Sequence, residues 1–175
     1  MKILLMGHPN IGKSVFFNRL TGARVIESNY PGTTVDYTKG YMRLEGRDVE
    51  VIDVPGAFSL EPKDKAEEVA VKMLEEAKEA VVVCVIDASK IERGLYLALE
   101  IIEKGRPVII ALNMWDVARD KNIQIDVEKL ERILGVSVVP TTAISGEGIK
   151  EIVSKLKKAV PVDVGKIAET AGGIT

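Results

Sequence analysis

The sequence predicts an α/β domain built on a six-stranded, mainly parallel sheet, with one antiparallel edge hairpin and helices on both faces. Three observations point there. Short apolar runs alternate with longer stretches of helical period, the pattern of strands joined by helical crossovers. Two runs are joined directly by the turn Glu45-Gly46-Arg47-Asp48, which is short enough to make them an antiparallel hairpin. The length, 175 residues, suits a single packed core.

The elements follow in order. Residues 3–6 form the first strand, and residues 13–20 a helix closed by Gly22. Strands at 41–44 and 49–54 make the hairpin, and a helix follows at 66–78. The unbroken apolar run 81–86 reads as a strand buried on both faces. A helix over 92–104, closed by Gly105, leads to a strand at 108–112. Residues 127–134, closed by Gly135, form a helix before the last strand, 136–139. In the final helix, 148–159, Ile149, Ile152, Val153 and Leu156 recur at helical spacing, opposite a lysine-rich solvated face. Two segments, 23–38 and 55–65, lack periodicity, and loops that long in a compact domain are usually functional. Residues 1–160 are thus expected to form one domain. Residues 161–175 are expected to be a linker or the truncated start of a following helical domain.

Composition removes several function classes. Lys plus Arg number 24 against 26 Asp plus Glu, a formal charge of -2, so there is no bulk cationic field for nucleic acid. One Cys, Cys84, and one His, His8, rule out an intrachain disulfide and a zinc site built on several such ligands. The apolar runs 80–86 and 107–112 fall far short of the ~20 residues that cross a bilayer, and the N-terminal run is too short for a signal sequence. A reducing cytosol is the expected compartment, and Cys84, inside an apolar run, is expected to be buried and inert.

The chemistry is carried by short motifs at strand ends. Gly7-His8-Pro9-Asn10-Ile11-Gly12-Lys13-Ser14 is a G-x-x-x-x-G-K-[ST] phosphate loop, with a strand before it and a helix after. Such a loop turns successive N–H groups toward phosphate oxygens, and the helix adds its positive end. Lys13 is placed to reach the β and γ phosphates, and Ser14 to ligate Mg2+. Asp53-Val54-Pro55-Gly56 ends the third strand, where a carboxylate can hold the Mg2+ water shell and Gly56 frees an N–H for a γ-phosphate. Pro31-Gly32-Thr33-Thr34 lies in the first long loop, where a threonine can cap the metal; alone it is equally a plain turn.

Asn113-Met114-Trp115-Asp116 follows the fifth strand. An Asp carboxylate accepts from both the ring N–H and the exocyclic amine of guanine, whereas adenine has no donor on that ring nitrogen. Thr141-Thr142-Ala143, after the last strand, offers a backbone N–H for the guanine carbonyl. Met114 and Trp115 either cover the base or pack at the domain edge. Together these elements read as a guanine-nucleotide switch.

On these residues the chain resembles translation-factor-type (TRAFAC-class) small GTPases with a Ras-like P-loop fold. More narrowly, it is similar to the N-terminal cytosolic G domain of the ferrous iron transport protein B (FeoB) family. The phosphate loop with Phe17-Asn18-Arg19-Leu20-Thr21-Gly22 carries the likeness, as do Asn29-Tyr30-Pro31-Gly32-Thr33-Thr34-Val35-Asp36 and Asp53-Val54-Pro55-Gly56-Ala57-Phe58-Ser59-Leu60. Further on, Asp87-Ala88-Ser89, Glu92-Arg93, Leu95-Tyr96-Leu97 and Ala111-Leu112-Asn113-Met114-Trp115-Asp116-Val117-Ala118 add to it. Met rather than Lys after the guanine-reading Asn is that family's usual variation. The likeness spans residues 2–160.

What the resemblance implies is specific. Lys13 and Ser14 would bind phosphate and Mg2+, with Asp53 behind the metal, Thr34 as the first-switch ligand and Gly56 as the second-switch sensor. Asn113 and Asp116 would read guanine, and Ile11, Gly12, Val15, Met114, Thr142 and Ala143 would complete the GTP or GDP site. Asn10 would hold K+ where other GTPases receive an arginine finger, so that potassium stimulates hydrolysis. Ala57 follows the Asp-x-x-Gly motif, so no side chain there orients the attacking water, and slow intrinsic turnover is expected. His8 stands where the family usually has Asn; it is expected to be a tolerated loop residue, with pH sensitivity as the alternative.

The resemblance further implies a switch that regulates ferrous iron transport from the cytoplasmic face of the cell membrane. Its partners would be a membrane portion of the same polypeptide and a following helical domain, both outside this chain, with no nucleic acid. A homo-oligomer is left open, and iron has no evident site here. The rivals are a free-standing ribosome-assembly GTPase and a nucleotide-gated interaction module with little hydrolysis. Arg24, Lys39, Arg43 and Arg47 are read as solvated charges.

Overall fold

A computed structural model describes residues 1–22 and 24–173. Its seven strands are β1 (Lys2–Gly7), β2 (Val25–Asn29), β3 (Asp36–Leu44), β4 (Arg47–Asp53), β5 (Val81–Asp87), β6 (Val108–Asn113) and β7 (Ser137–Pro140). Its helices are α1 (Lys13–Thr21), α2 (Lys65–Glu76), α3 (Ile91–Glu103), α4 (Trp115–Asp120), α5 (Val127–Leu134), α6 (Ile149–Lys155) and α7 (Val164–Gly172). The strands form one sheet in the order β2-β3-β4-β1-β5-β6-β7. β1 pairs in parallel with β4 and β5, and β6 in parallel with β5 and β7, while β2, β3 and β4 are antiparallel neighbours.

The sheet therefore has seven strands, not six. The extra strand, β2, lies in the segment 23–38 expected to be a loop; residue 23 itself is outside the described residues. Four of the five β2 residues are exposed, so the strand has no inward face to leave an alternating pattern. Its ladder with β3 also lengthens β3 back to Asp36. The segment from Val54 to Asp64 has no helix or strand, as expected of the second long loop.

Two helices are not among the individually expected elements. α4, of six residues, is too short to leave a helical period. Residues 164–172, within the segment expected to be a linker or the start of a further domain, form α7, with Asp163 accepting from Gly165 N–H at its start. Residues 174–175 lie outside the described residues. Ile167 of α7 joins the core beside α5.

The core has two halves, split by the alternation of side chains along the strands. Leu4, Met6, Val82, Cys84, Ile110 and Leu112 face α2, α3, α5 and α7. Ile3, Leu5, Val83, Val85, Ile109 and Ala111 face α1 and α6. β1, β5 and β6 are buried on both faces, which explains their unbroken apolar runs. Phe16 and Phe17 of α1 fill the second half, and burying each contributes about 2–3 kcal/mol. The consequence for function is that β1, β4, β5 and β6 all end on one edge, where Gly7, Asp53, Asp87 and Asn113 emerge.

Among the described residues, no helix is long and apolar enough to cross a membrane. Cys84 is fully buried, and burial pushes its thiol up to about 12. The native chain should therefore resist a disulfide-exchange thiol reagent at about pH 8 and react fully once unfolded in denaturant. Rapid labelling of the native protein would contradict this burial.

Candidate functional site

β1 runs into the loop 8–12, and α1 begins at Lys13. The loop closes through two left-handed residues, Asn10 at φ 61° and Gly12 at φ 81°. At Gly12 a Cβ atom would lie 2.6 Å from the Asn113 amide nitrogen, so only glycine fits. No side chain caps α1, which leaves its first-turn N–H groups pointing out of the helix end. That is the form of an anion cradle.

Lys13, Ser14 and Asp53 come together beside it. Lys13 Nζ donates to Asp53 Oδ1 and to the Val54 carbonyl, and Ser14 Oγ donates to Asp53 Oδ2 at 3.3 Å. Both ends of the Lys13–Asp53 pair are nearly buried. Gly56 packs onto the phosphate loop so closely that a Cβ there would lie 2.9 Å from Pro9 Cγ. The next residue, Ala57, donates its N–H to Gly7 O at 3.0 Å, tying the second long loop to the first strand. Gly56 N–H has no partner among the described residues.

Thr34 is not brought to this cluster. It is exposed and makes no hydrogen bond with Lys13, Ser14 or Asp53. The turn 30–35 instead closes on itself, with Tyr30 N–H donating to Val35 O and Thr33 Oγ1 to Tyr30 O. It is held against α2 by Tyr30 OH donating to Glu76 Oε1 at 2.5 Å. The hydrogen bond to Glu76 holds the proton on the phenol and raises the Tyr30 pKa, with desolvation and then the negative charge of Glu76 adding to the rise.

On the other side of the phosphate loop, a cleft is lined by Gly12, Val15, Asn113, Met114, Asp116, Thr142 and Ala143, with Ile144. Asn113, 2% exposed, ties its walls together. Its amide nitrogen donates to Ile11 O at 2.8 Å, while its amide oxygen accepts from Thr141 Oγ1 at 3.1 Å and Ala143 N–H at 3.0 Å. The backbone donors expected along Thr141-Thr142-Ala143 are thus all engaged, Ala143 N–H by Asn113, Thr141 N–H by Leu112 O and Thr142 N–H by Glu147 O. Met114 takes a left-handed turn, φ 57°, that starts α4 and places Asp116 on the cleft. The Asp116 carboxylate makes no hydrogen bond or ion pair among the described residues. Trp115 packs against the core, at the domain edge rather than over the cleft.

Several contributors were not legible as site residues. Glu67 of α2 is buried and accepts from the N–H groups of Phe58 (3.4 Å) and Lys63 (2.9 Å). Glu100 of α3 accepts from Ser59 Oγ and Leu60 N–H. Helical glutamates give no sequence signal separating these two from solvated ones. His8 stacks on Phe58 with ring centres 4.8 Å apart. Burial is the main cause that lowers its pKa; Arg93 adds to this, while the Phe58 backbone and Glu67 oppose it. Of the expected solvated charges, Arg24 and Arg43 pair with Asp48, and Arg24 also lies over the Tyr41 ring.

The comparisons with known proteins bear on the family and the fold. The family model described as ferrous iron transport protein B matches residues 1–156. The Fe(2+) transporter FeoB of Leptospira biflexa is 40% identical over 157 residues, covering 89% of this chain and 23% of the transporter. The chain thus spans less than a quarter of the length of that curated relative. Among solved structures, the cytosolic domain of L. pneumophila FeoB superposes with a TM-score of 0.88 at 38% identity, over 93% of this chain and 66% of that one. The cytosolic domain of the T. maritima FeoB iron transporter in its GMPPNP form gives 0.87 at 34% identity, over 93% and 67%.

If Asn113 holds the cleft together, Asn113→Ala should lower the unfolding free energy of the chain without added nucleotide by about 3 kcal/mol, from three buried hydrogen bonds at about 1 kcal/mol each. Urea denaturation measures this, and a negligible loss would deny the clamp.

Proposed function

The chain belongs to the ferrous iron transport protein B family, as a P-loop GTPase-type domain of it, and on that premise we propose a Mg2+-dependent GTP-hydrolysing switch. Its two nucleotide states would regulate ferrous iron passage through a membrane portion of the same polypeptide, from the cytoplasmic face. The observation that carries the reading is the unpartnered Asp116 carboxylate, set across the Asn113 clamp from the phosphate loop. A T. maritima relative in a GMPPNP form supports it. Family membership sets the ribosome-assembly alternative aside.

Each residue then has a task. The N–H groups of residues 12–15 receive the phosphates, and Lys13 turns from Asp53 to their oxygens. Asp116 accepts from the guanine ring N–H and exocyclic amine, so an adenine base leaves it unpaired at a cost of about 1–3 kcal/mol. Asn113 acts beneath, by holding Ile11 and Ala143 in register. Val15 and Met114 flank the base, and Thr142 closes the cleft.

Ser14 and Asp53 fit Mg2+: two hard oxygen donors lie side by side next to the phosphate cradle. Bound there, the ion would offset negative charge on the β and γ phosphate oxygens. Thr34 can join that shell only after the turn 30–35 leaves Glu76. Gly56 N–H is free to meet a γ-phosphate. The Asn10 side chain makes no hydrogen bond among the described residues, so its amide oxygen is open to K+, whose charge would offset that developing in phosphoryl transfer. Ala57 supplies no water-orienting group, which is why slow turnover without the cation is proposed.

Calorimetry should show a preference for GDP and GTP over ATP, with Lys13→Ala weakening GTP binding without unfolding the chain. Equal affinity for ATP would remove the role given to Asp116. Phosphate release should be faster in potassium than in sodium, and Asn10→Ala should abolish the difference; hydrolysis indifferent to the cation would show the assignment of Asn10 to be wrong.

A further inference from the structure

Residues 141–147 wall the cleft on the side away from α4, and their backbone donors are nearly all engaged. Thr142 N–H donates to Glu147 O at 3.0 Å, Ala143 N–H to Asn113 Oδ1 at 3.0 Å, Ser145 N–H to Thr142 O at 3.1 Å and Gly146 N–H to Thr142 O at 3.0 Å. Ile144 N–H has no partner among the described residues. Burial does not fix this peptide, because Ile144 is 77% exposed. Arg19, six residues along α1 from Lys13, fixes it instead. Its Nε donates to Ala143 O at 2.8 Å, and its Nη2 donates to Ile144 O.

Those two donors lie on one edge of the planar guanidinium and take two successive carbonyls, a match that a lysine ammonium cannot reproduce. A trans peptide unit is planar, so fixing Ala143 O also fixes the opposed Ile144 N–H. We propose that Arg19 is a positioning residue for base recognition: its grip on the Ala143 and Ile144 carbonyls holds the open Ile144 N–H in place for the ring carbonyl oxygen of guanine. The assignment rests on the guanine-nucleotide reading above. Arg19 itself touches neither base nor phosphate; it acts through the loop.

The test is the GDP and ADP affinity of the chain, by calorimetry with Mg2+, for the unaltered protein, Arg19→Ala and Arg19→Lys. Adenine carries an amine where guanine carries the carbonyl, so it cannot accept from the Ile144 N–H. Arg19→Ala should weaken GDP binding about tenfold, equivalent to about 1.4 kcal/mol, and leave ADP within about twofold. Arg19→Lys should recover part of the loss, since one ammonium reaches one carbonyl. If Arg19→Ala does not fold, Arg19→Lys alone decides, by losing affinity for GDP and not for ADP. Unchanged GDP affinity, or equal loss for both nucleotides, overturns the assignment. Failure of the guanine reading itself looks different: the unaltered chain would bind GDP and ADP alike.

Discussion

The site depends on one buried amide. Asn113 stands at the end of β6 and bonds to the phosphate loop through Ile11 O and to the loop after β7 through Thr141 and Ala143. Three segments more than twenty residues apart in sequence are thereby held at fixed separation. The interaction is strong because it is dry: at 2% exposure neither the amide nor its partners have water as an alternative. It also dictates its neighbours. Gly12 must be glycine because the Asn113 amide nitrogen occupies the space a Cβ would need. Gly12 in turn lets the loop turn into α1 with its first N–H groups exposed. On the proposed reading, Asn113 would serve as the joint between the phosphate and base sites.

A second constraint is the competition for Lys13. Its ammonium is held by Asp53 and the Val54 carbonyl in a nearly buried setting. A lone ammonium there would be costly, so the pairing satisfies both charges. On the proposed reading, phosphate oxygens would offer Lys13 a stronger partner and would release Asp53 at the same moment, next to the Ser14 hydroxyl. The carboxylate that neutralises the lysine in one state is the one proposed to stand behind the metal in the other. Such an exchange would keep the charge balanced in both.

Much of this was legible in the sequence, and the exceptions have physical causes. Doubly buried strands and glycine-closed helices leave strong patterns, and the fold class follows from them. Motifs whose chemistry needs adjacent residues, such as 7–14 and 53–56, were equally plain. β2 was missed because four of its five residues are exposed, and α4 because it is shorter than two turns. α7 holds one buried residue, Ile167, too little for a period to emerge. At the site, the unread features are long-range and made by ordinary residue types: Arg19 to residues 143–144, Glu67 and Glu100 to the segment 58–63, Tyr30 to Glu76. An arginine or glutamate on a helix looks the same whether it faces water or holds a loop.

Those long-range contacts divide the site into a fixed part and a part that can move. The phosphate loop, α1 and the loop after β7 are joined by Asn113 below and Arg19 above, and Lys13 and Arg19 lie on one short helix, about 9 Å apart along its axis. A nucleotide seated there would have its phosphates and base gripped by one body. The turn 30–35 and the segment 57–63 are held differently. Ala57 and Leu60 are anchored in the core, Tyr30 and Val35 pack against it and Phe58 stacks on His8, while hydrogen bonds run to three glutamates, Glu76 and Glu67 of α2 and Glu100 of α3. Such bonds are each worth only about 1–3 kcal/mol, within reach of what a γ-phosphate and its metal can offset. On the proposed reading, the segments that would change between nucleotide states include those pinned by side chains to α2 and α3. A movement there would act on those two helices and, through the stacking of Phe58 on His8, on the phosphate loop as well.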